Sequence, residues 1–83
     1  MLKIKDSVDL KELEKLGFEE NEYDTNFVRE SRTKKGNYVF VTVDRNTKQI
    51  KTTIASVYET QFNGTNYFKD LIKADLVEEV EGV

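Results

Sequence analysis

Two short polar interruptions, Lys34-Lys35-Gly36 and Arg45-Asn46-Thr47-Lys48, divide the middle of the chain into three runs rich in β-branched and aromatic residues, about 25–32, 37–44 and 49–57. Runs of that kind bounded by turn residues read as strands. Connections this short leave no room for a crossover, so neighbouring strands must be antiparallel and the three form a meander. Gly36 takes the positive-φ position of the first hairpin.

Loop length sets which side chains share a face, because a slip of one residue turns a whole strand over. A four-residue loop at 45–48 pairs Asp44 with Gln49 and sets Val43, Val41 and Val39 opposite Ile50, Thr52 and Ile54. A three-residue loop at 34–36 pairs Thr33 with Asn37 and adds Phe27, Arg29 and Ser31 to that face. The opposite face then carries Tyr38 and Phe40 among Val28, Glu30, Arg32, Thr42, Lys51 and Thr53. A three-residue second loop gives the other outcome, with Tyr38 and Phe40 beside Ile50 and Ile54 as plain core. The first reading is preferred because valine and isoleucine already furnish a complete apolar face.

The flanks read as helices. Asp9 is placed to cap a helix of about two turns, Glu12 stands at the capping-box position, Val8 and Leu13 form a hydrophobic staple, and Leu10, Leu13 and Leu16 make the buried stripe. Gly17 ends it in the left-handed conformation, with Phe18 folding back. Residues 19–24 are polar and read as a loop. After a turn at Asn63-Gly64, with Thr65 or Asn66 as cap, a second helix buries Phe68, Leu71 and Ile72, with Tyr67 and Ala74 beside them. It ends near Ala74, with Asp75 in the place Gly17 held. Lys11 to Phe18 and Lys69 to Leu76 share this order of helix, left-handed cap and apolar residue. Short strands are read at 2–5 and 76–80, placed to pair. The expected fold is therefore one α+β domain over 1–83: a three-stranded antiparallel meander with two short helices on one face, in the order α-β-β-β-α.

The chain has 83 residues with neither Cys nor His. That excludes thiolate nucleophiles, imidazole acid–base chemistry and zinc sites built on those ligands. Its four glycines are far apart and build no phosphate cradle. Glu20, Glu22 and Asp24 alternate as at the start of a calcium loop, but Thr25 stands where the turn needs glycine and Ser31 where it needs glutamate. A domain this small needs its large apolar groups for one core and has little to spare for a pocket. No catalytic residue, metal or cofactor is expected, and the chain is not read as an enzyme. With no apolar run at its start and no apolar stretch of membrane-spanning length, it is expected to be cytoplasmic, without membrane contact.

Charge is unevenly spread: residues 1–28 carry −4, residues 29–53 +5 and residues 54–83 −4. Mutual neutralisation within the fold accounts for this, and a nucleic-acid surface is the alternative. Only Arg29, Arg32, Lys34, Lys35, Arg45, Lys48 and Lys51 could meet phosphates. The helix–three strands–helix order matches double-stranded RNA-binding domains, yet residues 67–79 set Lys69 and Lys73 against four acids. Lys35 to Val41 partly echoes the aromatic ribonucleoprotein motif, but Asn37 and Val39 stand where aromatics belong.

The run Lys3 to Phe18 resembles the start of small proteins encoded by phages and prophages of Gram-positive bacteria. Asp70 to Glu78 is similar to their ends, where a glycine often stands at the position of Asp75. The resemblance covers about a third of the chain, rests on fold-forming residues, and implies phage origin and a host-cell location. It brings no catalytic residues. Phage accessory proteins include small inhibitors of host or defence proteins, and the expected function is a non-catalytic protein-binding module of that sort. Its nominated contact residues are Arg32, Tyr38, Phe40 and Lys51, or else an unpaired sheet edge. The alternatives are nucleic-acid binding through the basic central strands and a self-associating structural protein that covers its own aromatic face.

Overall fold

A computed structural model describes residues 1–59 and 61–80 of the chain. The three central strands take the register that the loop lengths dictate. Strand β3 (Phe27–Arg32) pairs with β4 (Tyr38–Val43), setting Phe27, Arg29 and Ser31 opposite Val43, Val41 and Val39. Strand β5 (Ile50–Ile54) pairs on the other side of β4, with Val43, Val41 and Val39 opposite Ile50, Thr52 and Ile54. The first turn closes through Thr33 N donating to Asn37 O at 2.9 Å, with Gly36 at φ +87°. The second closes through Asp44 N to Gln49 O at 3.0 Å and Lys48 N to Asp44 O at 2.9 Å. The Asp44 carboxylate accepts the N–H groups of Asn46 and Thr47, which hold it below the usual aspartate range and stiffen the turn.

The sheet has four strands rather than three. Glu19–Glu20, expected in a loop, forms β2 on the free side of β3, opposite Val28 and Phe27. Two charged residues show no alternation of apolar and polar groups, so nothing in the sequence marks them. The strands expected at the two ends are present: β1 (Leu2–Ile4) and β6 (Val77–Glu79) pair antiparallel as a second, two-stranded sheet. A bridge from Lys3 to Gln49 and a bond from Ile4 N to Lys48 O at 2.8 Å tie that sheet to the end of β5. Strand β5 is also shorter than expected. Beyond Ile54 the Ser56 hydroxyl accepts the N–H groups of Tyr58 and Glu59, drawing the backbone out of the ladder.

The first helix, Leu10–Leu16, is a 3₁₀ helix. Its leucines recur every third residue, which is the 3₁₀ repeat, and Leu13 alone of the three is fully buried. Asp9 caps it by accepting Lys11 N at 3.0 Å, while Glu12 turns to Lys15 instead of completing a capping box. The second helical segment begins as a 3₁₀ turn (Gly64–Tyr67) capped by Asn63, not by Thr65 or Asn66, and continues as α1 (Lys69–Lys73). Phe68 and Leu71 are buried, but Ile72 is 42 % exposed. A five-residue helix aims a stripe only one residue wide at the core, and Ile72 lies about 100° around from Leu71.

Both helices end alike. Phe18 N donates to Leu13 O and Leu76 N to Leu71 O, each at 3.1 Å, across a left-handed residue, Gly17 at φ +88° and Asp75 at φ +59°. Leu13, Phe68 and Leu71 pack with Phe27, Val41, Val43 and Ile50 in one core cluster, so the helices cover the valine face as expected.

Candidate interaction face

With the helices on one side, the other face of the four-stranded sheet carries no element among the described residues. Its side chains stand in cross-strand rows. Arg32 faces Tyr38; Glu30, Phe40 and Thr53 form the next row; Val28, Thr42 and Lys51 form the third. Tyr38 is 39 % exposed and Phe40 half-buried. Their rings stack, with centroids 6.3 Å apart and planes 19° apart. The Arg32 guanidinium lies 4.4 Å above the Tyr38 ring and donates to the Tyr38 hydroxyl. Three of the four nominated residues, Arg32, Tyr38 and Phe40, thus meet in one aromatic–cationic group. Lys51 shares the face but stands in the row beyond Phe40, away from Arg32.

A further exposed apolar pair lies at the same end of the sheet. Val57 is 81 % and Tyr58 95 % exposed. Their loop does not swing free. The Glu59 carboxylate accepts from Asn37 Nδ2 at 2.7 Å and from the buried Thr33 hydroxyl at 2.8 Å, and these two donors hold its pKa below the usual glutamate range. The readable signal is Ser56 ahead of Tyr58-Glu59, a side-chain oxygen that turns the backbone and closes the strand early.

The basic segment disperses. Arg29 points into the protein, where its guanidinium donates to Asp70, to Leu16 O at 2.9 Å and to Tyr67 O at 2.7 Å, and lies 4.6 Å from the Phe18 ring. Lys48 Nζ donates to the carbonyls of Val8 at 2.6 Å, Asp6 at 3.1 Å and Lys5 at 3.4 Å. Arg45 bonds Thr25 at the opposite end of the meander from Lys34 and Lys35. These cations do not line one track, and Glu19 and Glu30 share the open face with Arg32 and Lys51.

An open depression of about 390 Å³ lies beside β2, lined by Glu19, Glu20, Val28, Glu30 and Phe40 among others. In the adjoining hairpin, Asp24 Oδ1 accepts Asn26 N and Asn21 Oδ1 accepts Tyr23 N, so these side chains shape the turn. Among the described residues no group of three or more carboxylates is arranged to hold a metal ion, and no helix is long and apolar enough to cross a membrane. Comparison with known proteins finds no matching family model, no matching curated protein and no matching solved structure.

Proposed function

We propose that this chain is a non-catalytic protein-binding module that docks through the Tyr38/Phe40 face. The observation that carries this reading is the stacked aromatic pair, clasped by Arg32, on a sheet face that no element covers among the described residues. Exposed aromatics and arginine are the residue types that dominate protein interfaces, because they bring large contact area with a polar handle and little conformational freedom to lose. The mixed charge around the rings suits a protein surface better than a uniformly anionic one. The phage resemblance of the helix ends extends the proposal to biology: a phage accessory protein acting in the host cytoplasm as an inhibitor of a host or defence protein.

The test is affinity capture from host lysate with the wild-type chain and with Tyr38→Ala plus Phe40→Ala. A bound protein lost with the double variant, which should still unfold cooperatively, supports the reading. Equal capture by both removes the face from consideration. Retarded nucleic acid at low salt, weakening steeply as salt rises, would instead favour the basic-strand alternative.

A further inference from the structure

Strand β3 is covered on its outer flank only where β2 pairs with Phe27 and Val28. From Arg29 to Arg32 that flank has no neighbouring strand among the described residues. The bond from Thr33 N to Asn37 O settles which groups face outward. Odd-numbered residues of β3 bond to β4, while Glu30 and Arg32 turn their N–H and C=O groups away from it. Four aligned backbone groups at a sheet edge are a template for another strand.

We propose that this edge pairs with the same edge of a second copy of the chain, antiparallel, about a two-fold axis at Ser31. Charge selects the occupant and the register. With Ser31 opposite its own copy, Glu30 faces Arg32 of the second copy and Arg32 faces its Glu30, giving two cross-strand ion pairs and four backbone hydrogen bonds. A shift one way sets Glu30 against Glu30; a shift the other way sets Arg32 against Arg32. The ends of the edge match as well. Glu19, Glu20 and Glu30 line the depression at the Val28 end, and Lys34 and Lys35 stand exposed in the hairpin at the other. The two-fold arrangement lays each copy's lysines toward the other's glutamates. An unrelated extended peptide could use the same backbone groups, but nothing in the chain selects one, whereas the edge is complementary to itself. Strand addition of this kind gives the order β5-β4-β3-β3-β4-β5 with each β2 beside the seam, and leaves the Tyr38 and Phe40 rings of both copies open on one side of the joined sheet; Arg32 alone is shared with the proposed docking face.

Sedimentation equilibrium of the full chain up to about 1 mM tests it, since pairing this small should be weak, with Kd on the order of 10–100 µM. The expected result is a monomer–dimer equilibrium that weakens with salt. Glu30→Arg and Arg32→Glu should each be monomeric, because each sets like charges together. An equimolar mixture of the two should form heterodimers, and both changes in one chain should restore the homodimer. Circular dichroism of each variant checks the fold. Amide exchange at Glu30 and Arg32 of the unaltered chain should slow as concentration rises, a readout that needs no variant. Wild-type protein that stays monomeric, single variants that dimerise like wild type, a mixture that stays monomeric, or concentration-independent exchange at these amides would each overturn the proposal.

Discussion

Arg29 and Asp70 meet fork to fork: Nη1 is 2.7 Å from Oδ2 and Nη2 is 2.9 Å from Oδ1, across 41 positions of sequence. The same guanidinium reaches the last carbonyl of the 3₁₀ helix, at Leu16, and the carbonyl of Tyr67 just before α1. One side chain on β3 therefore fastens both helices to the sheet. A planar five-donor group can serve four acceptors at once, and an ammonium cannot. Arg29→Lys is expected to lower stability by about 1–3 kcal/mol, discounted for the half-exposed carboxylate. That corresponds to roughly 4–8 °C in Tm per kcal/mol for a domain of this size, measured by thermal unfolding. A change within error would show the fork to be dispensable.

Acid should weaken the fold through a small set of carboxylates. Asp70 is held below its ordinary 3.8 by the Arg29 hydrogen bonds, Asp6 by its bond from Lys3, and Asp44 by backbone N–H groups. Glu59 is held below its ordinary 4.5 by Asn37 and Thr33. A pKa lower in the folded than in the unfolded chain contributes stability that is complete above the unfolded value and disappears as pH falls through the folded one. Urea midpoints should therefore be level in this respect above about pH 5 and decline below about pH 4. Asp70→Asn should make that decline shallower.

Gly64 is needed for proximity rather than for an unusual φ. A Cβ added there would lie 2.1 Å from Thr52 Oγ1 and 3.0 Å from Thr52 Cβ. Gly64→Ala is expected to cost about 1–3 kcal/mol by forcing the 3₁₀ turn off β5. Adding Thr52→Ala should recover part of the loss by removing two of the three clashing atoms, which a double-mutant cycle would measure.

Lys48 combines two demands. Its backbone sits at φ +62°, and its ammonium binds three carbonyls of the segment after β1. Both Lys48→Ala and Lys48→Gly lose the ammonium, but only alanine retains the left-handed strain. Glycine should be the milder change by about 1 kcal/mol. The reverse order in chemical denaturation would mean that the left-handed backbone carries no strain at this position; the loss common to both variants measures the ammonium.

Core and open face should respond differently to truncation. Leu13→Ala or Leu71→Ala removes a fully buried side chain and is expected to cost about 2–5 kcal/mol. Tyr38→Ala plus Phe40→Ala should leave unfolding cooperative, because these rings pack on each other outside the core cluster.

The meander was legible because two short loops fix register, and register fixes faces. That arithmetic placed Val39, Val41 and Val43 inward and Tyr38 and Phe40 outward. The left-handed ends at Gly17 and Asp75 were legible for a similar reason, since each is a local choice that few residue types tolerate. What escaped reading depends on distant partners. Glu19–Glu20 becomes a strand only because β3 lies beside it. Arg29 is one of the cations the sequence offers to phosphate, yet it lies on the valine face, where a charge must be satisfied, and Asp70 does so from 41 residues away. The three-residue spacing of Leu10, Leu13 and Leu16 did carry the 3₁₀ signal; an α-helical stripe would have needed a four-residue step as well.

Among the described residues Leu2–Ile4 pairs along its whole length with Val77–Glu79, with Val80 N bonded to Met1 O at 2.8 Å, and touches the end of β5 through the Lys3–Gln49 bridge and the Ile4 N to Lys48 O bond. During synthesis the β1–β6 ladder can form only once Val77–Glu79 has emerged from the ribosome, while the hairpins of the centre can zip as they appear. The two sides of β1 can be timed separately: protection of the Lys5 amide, which donates to Leu76 O, reports the docking of Val77–Glu79, and protection of the Ile4 amide, which donates to Lys48 O, reports the docking of β1 on the meander.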